Sequence, residues 1–125
     1  MTRFLLATRS VHTTAAAADY LQSRLSADDT VVVATVVEPE MDPRDAGDAA
    51  NVARSRLVPA TVETIQREGD PSTVVPALVK EFDADELLVG PRCGDPGADA
   101  ALGETARTVL TAVRVPVVVL PLPDL

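Results

Sequence analysis

Residues 83–120 read DADELLVGPRCGDPGADAALGETARTVLTAVRVPVVVL. A short apolar run, Glu86–Val89, stops at Gly90. A Gly- and Pro-rich loop follows, then a helical pattern from about Leu102 to Arg114, then a second apolar run, Val115–Leu120. Strand, glycine-rich loop, helix and strand make one complete βαβ unit. Ligands of open parallel sheets sit where loops leave the carboxyl ends of the strands. Gly90–Thr105 is therefore the first place to look for a site.

The chain before this unit repeats the same alternation. Arg3–Thr8 (RFLLAT) and Val31–Val37 (VVVATVV) are short continuous apolar runs, the pattern of strands buried on both faces. Between them lies a helix over Ala15–Leu25, with Ala17, Leu21 and Leu25 as its buried stripe and Thr13 or Thr14 as its cap. Asp45–Leu57 is a second helix, weakened by Gly47 and ended by Pro59, with Pro43 near its start. Thr61–Gln66 reads as an edge strand. Ser72 is placed to cap a third helix whose face is Val75, Leu78, Val79 and Phe82, with Pro76 in or just past its first turn. Asp83–Asp85 closes it. The fourth helix buries Leu102, Ala106, Val109, Leu110 and Val113. Pro116 and Pro121 bracket the last strand and suit an edge or interface position.

The expected fold is therefore α/β: a five-stranded parallel sheet with helices on both faces, in one domain spanning residues 1–125. A flavodoxin-like strand order and half of a Rossmann fold are both compatible with this pattern. Composition agrees. The chain is 46% hydrophobic but only 2% aromatic, so Val, Leu, Ile and Ala must build the core.

The net charge of −8 argues against nucleic acid as a partner, because phosphates would be repelled. One lysine, Lys80, stands against ten arginines and nineteen acids. Such an acidic, lysine-poor surface reads as salt-adapted (halophilic). Cys93 is the only cysteine, so no internal disulfide is expected. The apolar run near the start is too short for a signal peptide or a membrane span. A cytoplasmic location with no membrane contact is expected.

In this layout the chain resembles the universal stress protein family across nearly all its length. Phe4–Thr8 (FLLAT), Val36–Pro39 (VVEP), Gly69-Asp70-Pro71, Ala84–Gly90 (ADELLVG) and Val115–Leu120 (VPVVVL) carry the resemblance in order and at the right spacing. The resemblance implies strand order 3-2-1-4-5, in the manner of adenine nucleotide alpha hydrolases, and homodimers through the fifth strand. The apolar edge Val117, Val118, Val119 and Leu120 is the expected interface, since an exposed edge strand tends to find a partner.

The ATP-binding branch of that family has a loop of the form Gly-x2-Gly-x9-Gly-Ser/Thr. Its glycines let backbone N–H groups approach phosphates, and a helix N-terminus completes the anion site. Here Gly90 and Gly103 match. Cys93 holds the second position with Gly94 one place late, and Glu104 replaces the hydroxyl, followed by Thr105. Where ATP binders end the first strand with Asp, this chain has Arg9, within Thr8-Arg9-Ser10. A carboxylate about 4 Å from a phosphate charge costs roughly 4 kcal/mol at an effective dielectric near 20, on the order of a thousandfold in affinity. Arg9 and Glu104 are also candidates to pair and plug the crevice.

The expected function is a homodimeric stress-response protein that does not bind ATP tightly and acts through contacts with another protein. The alternative is an ATP-binding nucleotide switch or slow ATPase, with Gly90, Gly94, Gly97 and Gly103 as a looser phosphate loop and the Val36 backbone near the adenine. The degenerate site would comprise Thr8, Arg9, Ser10, Val36, Gly90, Arg92, Gly94, Gly103, Glu104 and Thr105. No catalytic set is legible and no cofactor is expected, Mg-ATP being the alternative's ligand. His12 and Cys93 read as ordinary loop residues, Arg92 as a brace of the loop, and Asp42, Asp45 and Asp48 as a solvated helix start.

Overall fold

In the computed structural model, which describes residues 1–8, 10–37, 43–90 and 104–121, strands and helices alternate along the whole chain. They are β1 (Arg3–Thr8), α1 (Val11–Leu21), β2 (Thr30–Val37), α2 (Pro43–Arg56), β3 (Thr61–Glu68), α3 (Pro71–Glu81), β4 (Glu86–Val89), α4 (Glu104–Ala112) and β5 (Val117–Val119). The five strands are parallel and ordered β3-β2-β1-β4-β5. Of the two orders left open by pattern alone, this is the one the family resemblance implies. β3 is an edge strand, as its alternating sequence predicts.

Strand period divides the core into two layers. Phe4 and Leu6 of β1, Val31 and Val33 of β2 and Leu88 of β4 pack on Ala17, Ala18 and Leu21 of α1 and Ala53 of α2. Their neighbours Leu5, Val32, Ala34, Leu87 and Val89 face the other way, onto Val75, Leu78 and Val79 of α3 and Val109 of α4. Helices therefore cover both faces. β1 and β2 can be continuously apolar because neither of their faces meets water.

Several boundaries differ from expectation, each for a local reason. α1 starts and ends one turn early. Ser10, extended at φ −149°, is its N-cap, and the Ser10 side chain accepts the Thr13 N–H at 3.2 Å. Neither Thr13 nor Thr14 is the cap. At the other end the N–H groups of Arg24 and Leu25 turn back to the Leu21 carbonyl, so Leu25 packs on the core from a turn. α2 begins at Pro43, whose missing N–H costs nothing at a first helical position. In α3 the cap is Asp70, which accepts the Ser72 N–H at 3.0 Å, with Pro71 at the helix start; Ser72 is inside the helix. β3 runs two residues further than expected, because its backbone pairs with β2 through Val37↔Glu68. β5 is shorter, Val117–Val119, although Leu87 N–H still bonds Pro116 O and Leu120 N–H still bonds Val89 O.

Candidate functional site

The strand order reverses direction between β1 and β4, the switch point where open α/β sheets hold ligands. Ala7 pairs with Val89, and Thr8 and Gly90 each lie one residue beyond that pair. Thr8 also pairs with Thr35 of β2. Thr8, Thr35 and Gly90 thus mark the carboxyl rim of the three central strands.

The turn from β1 into α1 is built from hydroxyls. Thr8 Oγ1 donates to Ser10 O at 2.9 Å and accepts the Ser10 N–H at 3.3 Å. Thr14 Oγ1 donates to the same carbonyl at 3.0 Å. Thr8 and Thr14 are both buried. This network fixes the first turn of α1 at the rim. Val36 is buried with its side chain in the α3/α4 layer, so it offers the rim its backbone. Beyond it, Val37 O accepts the Gly69 N–H at 3.3 Å and closes the ends of β2 and β3 together.

α4 begins at Glu104. The first helical position, where the helix dipole favours an anion, is therefore held by an acidic residue followed by Thr105. The side chains of Glu104 and Thr105 lie outside the described residues. So do Arg9, Arg92, Cys93, Gly94, Gly97, Gly103 and Leu102, and with them the Arg9–Glu104 pairing. His12 is exposed on α1 and Asp48 is exposed on α2; Asp42 and the Asp45 side chain are outside the described part.

On the expected dimer edge, Val117 and Val118 are half-buried and Val119 is 37% exposed. Leu120 departs from the expectation. Its side chain is fully buried in the chain's own α1/α2 layer, because the strand period turns it inward with Val118. Whatever this edge presents comes from Val117–Val119 and the free side of the β5 backbone. No described helix is long and apolar enough to cross a membrane.

A profile of the universal stress protein family matches residues 1–121. No curated protein matches the sequence. Among solved structures, the hypothetical protein MJ0577, the subject of a structure-based assignment of biochemical function, superposes with a TM-score of 0.83 at 15% identity, covering 99% of this chain and 98% of that one. A universal stress protein solved in complex with cAMP gives 0.72 at 18% identity, covering 98% of both chains. A family protein from Arabidopsis thaliana with AMP bound gives 0.66 at 17% identity, covering 96% of this chain and 91% of that one. At such identities these likenesses establish the fold.

Proposed function

Since the chain belongs to the universal stress protein family, we propose that it is a small regulatory domain that holds ATP weakly, pairs with a second copy through β5, and acts by contacting another protein. The observation that carries the ATP part is the start of α4 at Glu104. An anion site at a helix N-terminus needs that end open. An acidic residue at the first helical position can satisfy the dipole itself and repels a polyphosphate. The β1 side of the crevice, with Thr8, Ser10 and Gly90, keeps the small residues a nucleotide's sugar and base would need.

A second reading follows from the company the fold keeps. Two similar structures carry cAMP and AMP, which have one phosphate each. A monophosphate places less charge against Glu104 than a triphosphate does, so an adenine monophosphate is the better-matched ligand for this rim.

The test is calorimetric titration of Mg-ATP and of AMP, in molar KCl, into the wild type and Glu104→Ser. The expected result is ATP binding weaker than micromolar by the wild type and a gain in affinity in the variant. Micromolar ATP affinity in the wild type overturns the reading. AMP binding with ATP silent favours the monophosphate ligand.

A further inference from the structure

A second concavity lies away from the β1/β4 switch point. It is a cleft of about 240 Å³ between α2 and the carboxyl halves of β2 and β3. Thr35, Thr64 and Gln66 line it from the sheet, and Gly47, Asn51 and Arg54 from α2. α2 passes over the sheet here with Gly47 facing open space. A Cβ at Gly47 would meet nothing within 4 Å.

Two neighbouring threonines show that this cleft is unlike the rim beside it. Thr8 and Thr35 are register partners, 5% and 3% exposed. The Thr8 hydroxyl both donates, to Ser10 O, and accepts, from Ser10 N–H. The Thr35 hydroxyl forms no hydrogen bond among the described residues, yet no enclosed side-chain oxygen is left unsatisfied. It therefore opens on the cleft, as the most deeply buried polar group lining it. Its donor and acceptor are thus turned to the cleft and unused by the described residues; valine would fit the same strand position without either.

The charge of the lining is also at odds with the chain. Nineteen acids give the protein a net charge of −8, yet among the described residues no Asp or Glu lines this cleft, and Arg54 does. Arg54 Nη2 donates to Thr64 Oγ1 at 2.7 Å, and Nη1 reaches Asn51 Oδ1 at 3.5 Å. The guanidinium has five donors and forms no ion pair among the described residues. One cation with hydroxyls and amides around it matches a single negative charge. A carboxylate meets that condition, whereas a phosphate would bring a second charge with nothing to balance it. At about 30 Å³ per water-sized unit, the cleft has room for a molecule of roughly eight non-hydrogen atoms.

We propose that this cleft binds a small carboxylate carrying at least one further hydrogen-bonding group. Arg54 takes the carboxylate and the Thr35 hydroxyl takes the second group. Thr35 borders the rim, but the rest of the lining comes from α2 and β3, and the proposal does not depend on whether the rim binds nucleotide.

The experiment is a titration of isotopically labelled full-length protein, followed by amide NMR shifts, with the hydroxy-monocarboxylates L-lactate and glycolate as probes. Sodium phosphate and sodium chloride at equal ionic strength serve as comparisons. At least one carboxylate should produce saturable shifts at Asn51, Arg54, Thr64 and Gln66, leaving Thr8, Ser10 and Gly90 in place. Thr35→Val should weaken binding tenfold or more while Tm stays level or rises, and Arg54→Gln should abolish it. No saturable shift with either carboxylate overturns the proposal, as does phosphate binding the same amides equally well. Unchanged affinity in Thr35→Val, with a lowered Tm, makes that threonine structural and overturns it too.

Discussion

The Thr8 and Thr14 hydroxyls lie 3.0 Å apart inside the protein, and both donate to one acceptor, the Ser10 carbonyl, at 2.9 and 3.0 Å. The end of β1 and the first turn of α1 are thereby locked around a single backbone oxygen. This lock is what sets the direction in which α1 leaves the rim.

Thr14→Val keeps the shape and deletes one of these bonds. It should cost about 1 kcal/mol, a few degrees in Tm, measured by thermal unfolding. Thr8→Val should cost more, since it also takes the acceptor of the Ser10 N–H. Equal stability of all three proteins would mean that the cap at Ser10 alone holds the turn.

Acid should weaken the joint beside the start of β2. The Asp29 carboxylate accepts the backbone N–H groups of Ser26 at 2.9 Å and Thr2 at 2.8 Å. These donors, Ser26 first and Thr2 second, hold its carboxyl below the ordinary value of 3.8. A group whose folded value is depressed stabilises fully above its unfolded value and loses that contribution as pH falls through the folded one. In urea unfolding, Asp29→Asn should be less stable than the wild type at pH 7. The gap should narrow as pH drops below 3.8.

Two glycines should respond to alanine in opposite directions. Gly47 lies in α2 with open space around its missing Cβ, so Gly47→Ala should stabilise by about 0.5–1 kcal/mol. Gly69 sits at φ +134°, and a Cβ there would approach Val74 Cγ2 to 3.1 Å. Gly69→Ala should destabilise by about 1–3 kcal/mol. Chemical denaturation of both variants checks the pair.

Val119 is the exposed side chain of the β5 edge. If copies pair there, Val119→Lys should shift sedimentation from twice the mass of one chain to a single mass, because a charge on an edge strand opposes pairing. Identical sedimentation of wild type and variant would place any dimer elsewhere.

Much of this molecule could be read before folding. β1 and β4 were legible to the residue, because an apolar run bounded by polar or glycine residues leaves little choice of ends. The α3 face was legible because Val75, Leu78 and Val79 keep helical spacing and are buried together. The helix starts were harder. Ser10 and Thr13, or Asp70 and Ser72, are equally good caps by residue type. The choice rests on which one has extended backbone ahead of the helix.

By itself, then, the sequence determined an alternating α/β chain with an apolar two-layer core and an acidic residue where a phosphate loop would meet α4. Those features follow from period, composition and spacing, which are local. The strand order came from the family resemblance and not from the pattern, and tertiary structure alone decided that Leu120 faces inward while Val119 does not, and that Thr35 lacks the partners Thr8 has. Each of these depends on what a distant segment brings to the same place. A hydroxyl one register step from another is satisfied or left open according to which helix lies above it.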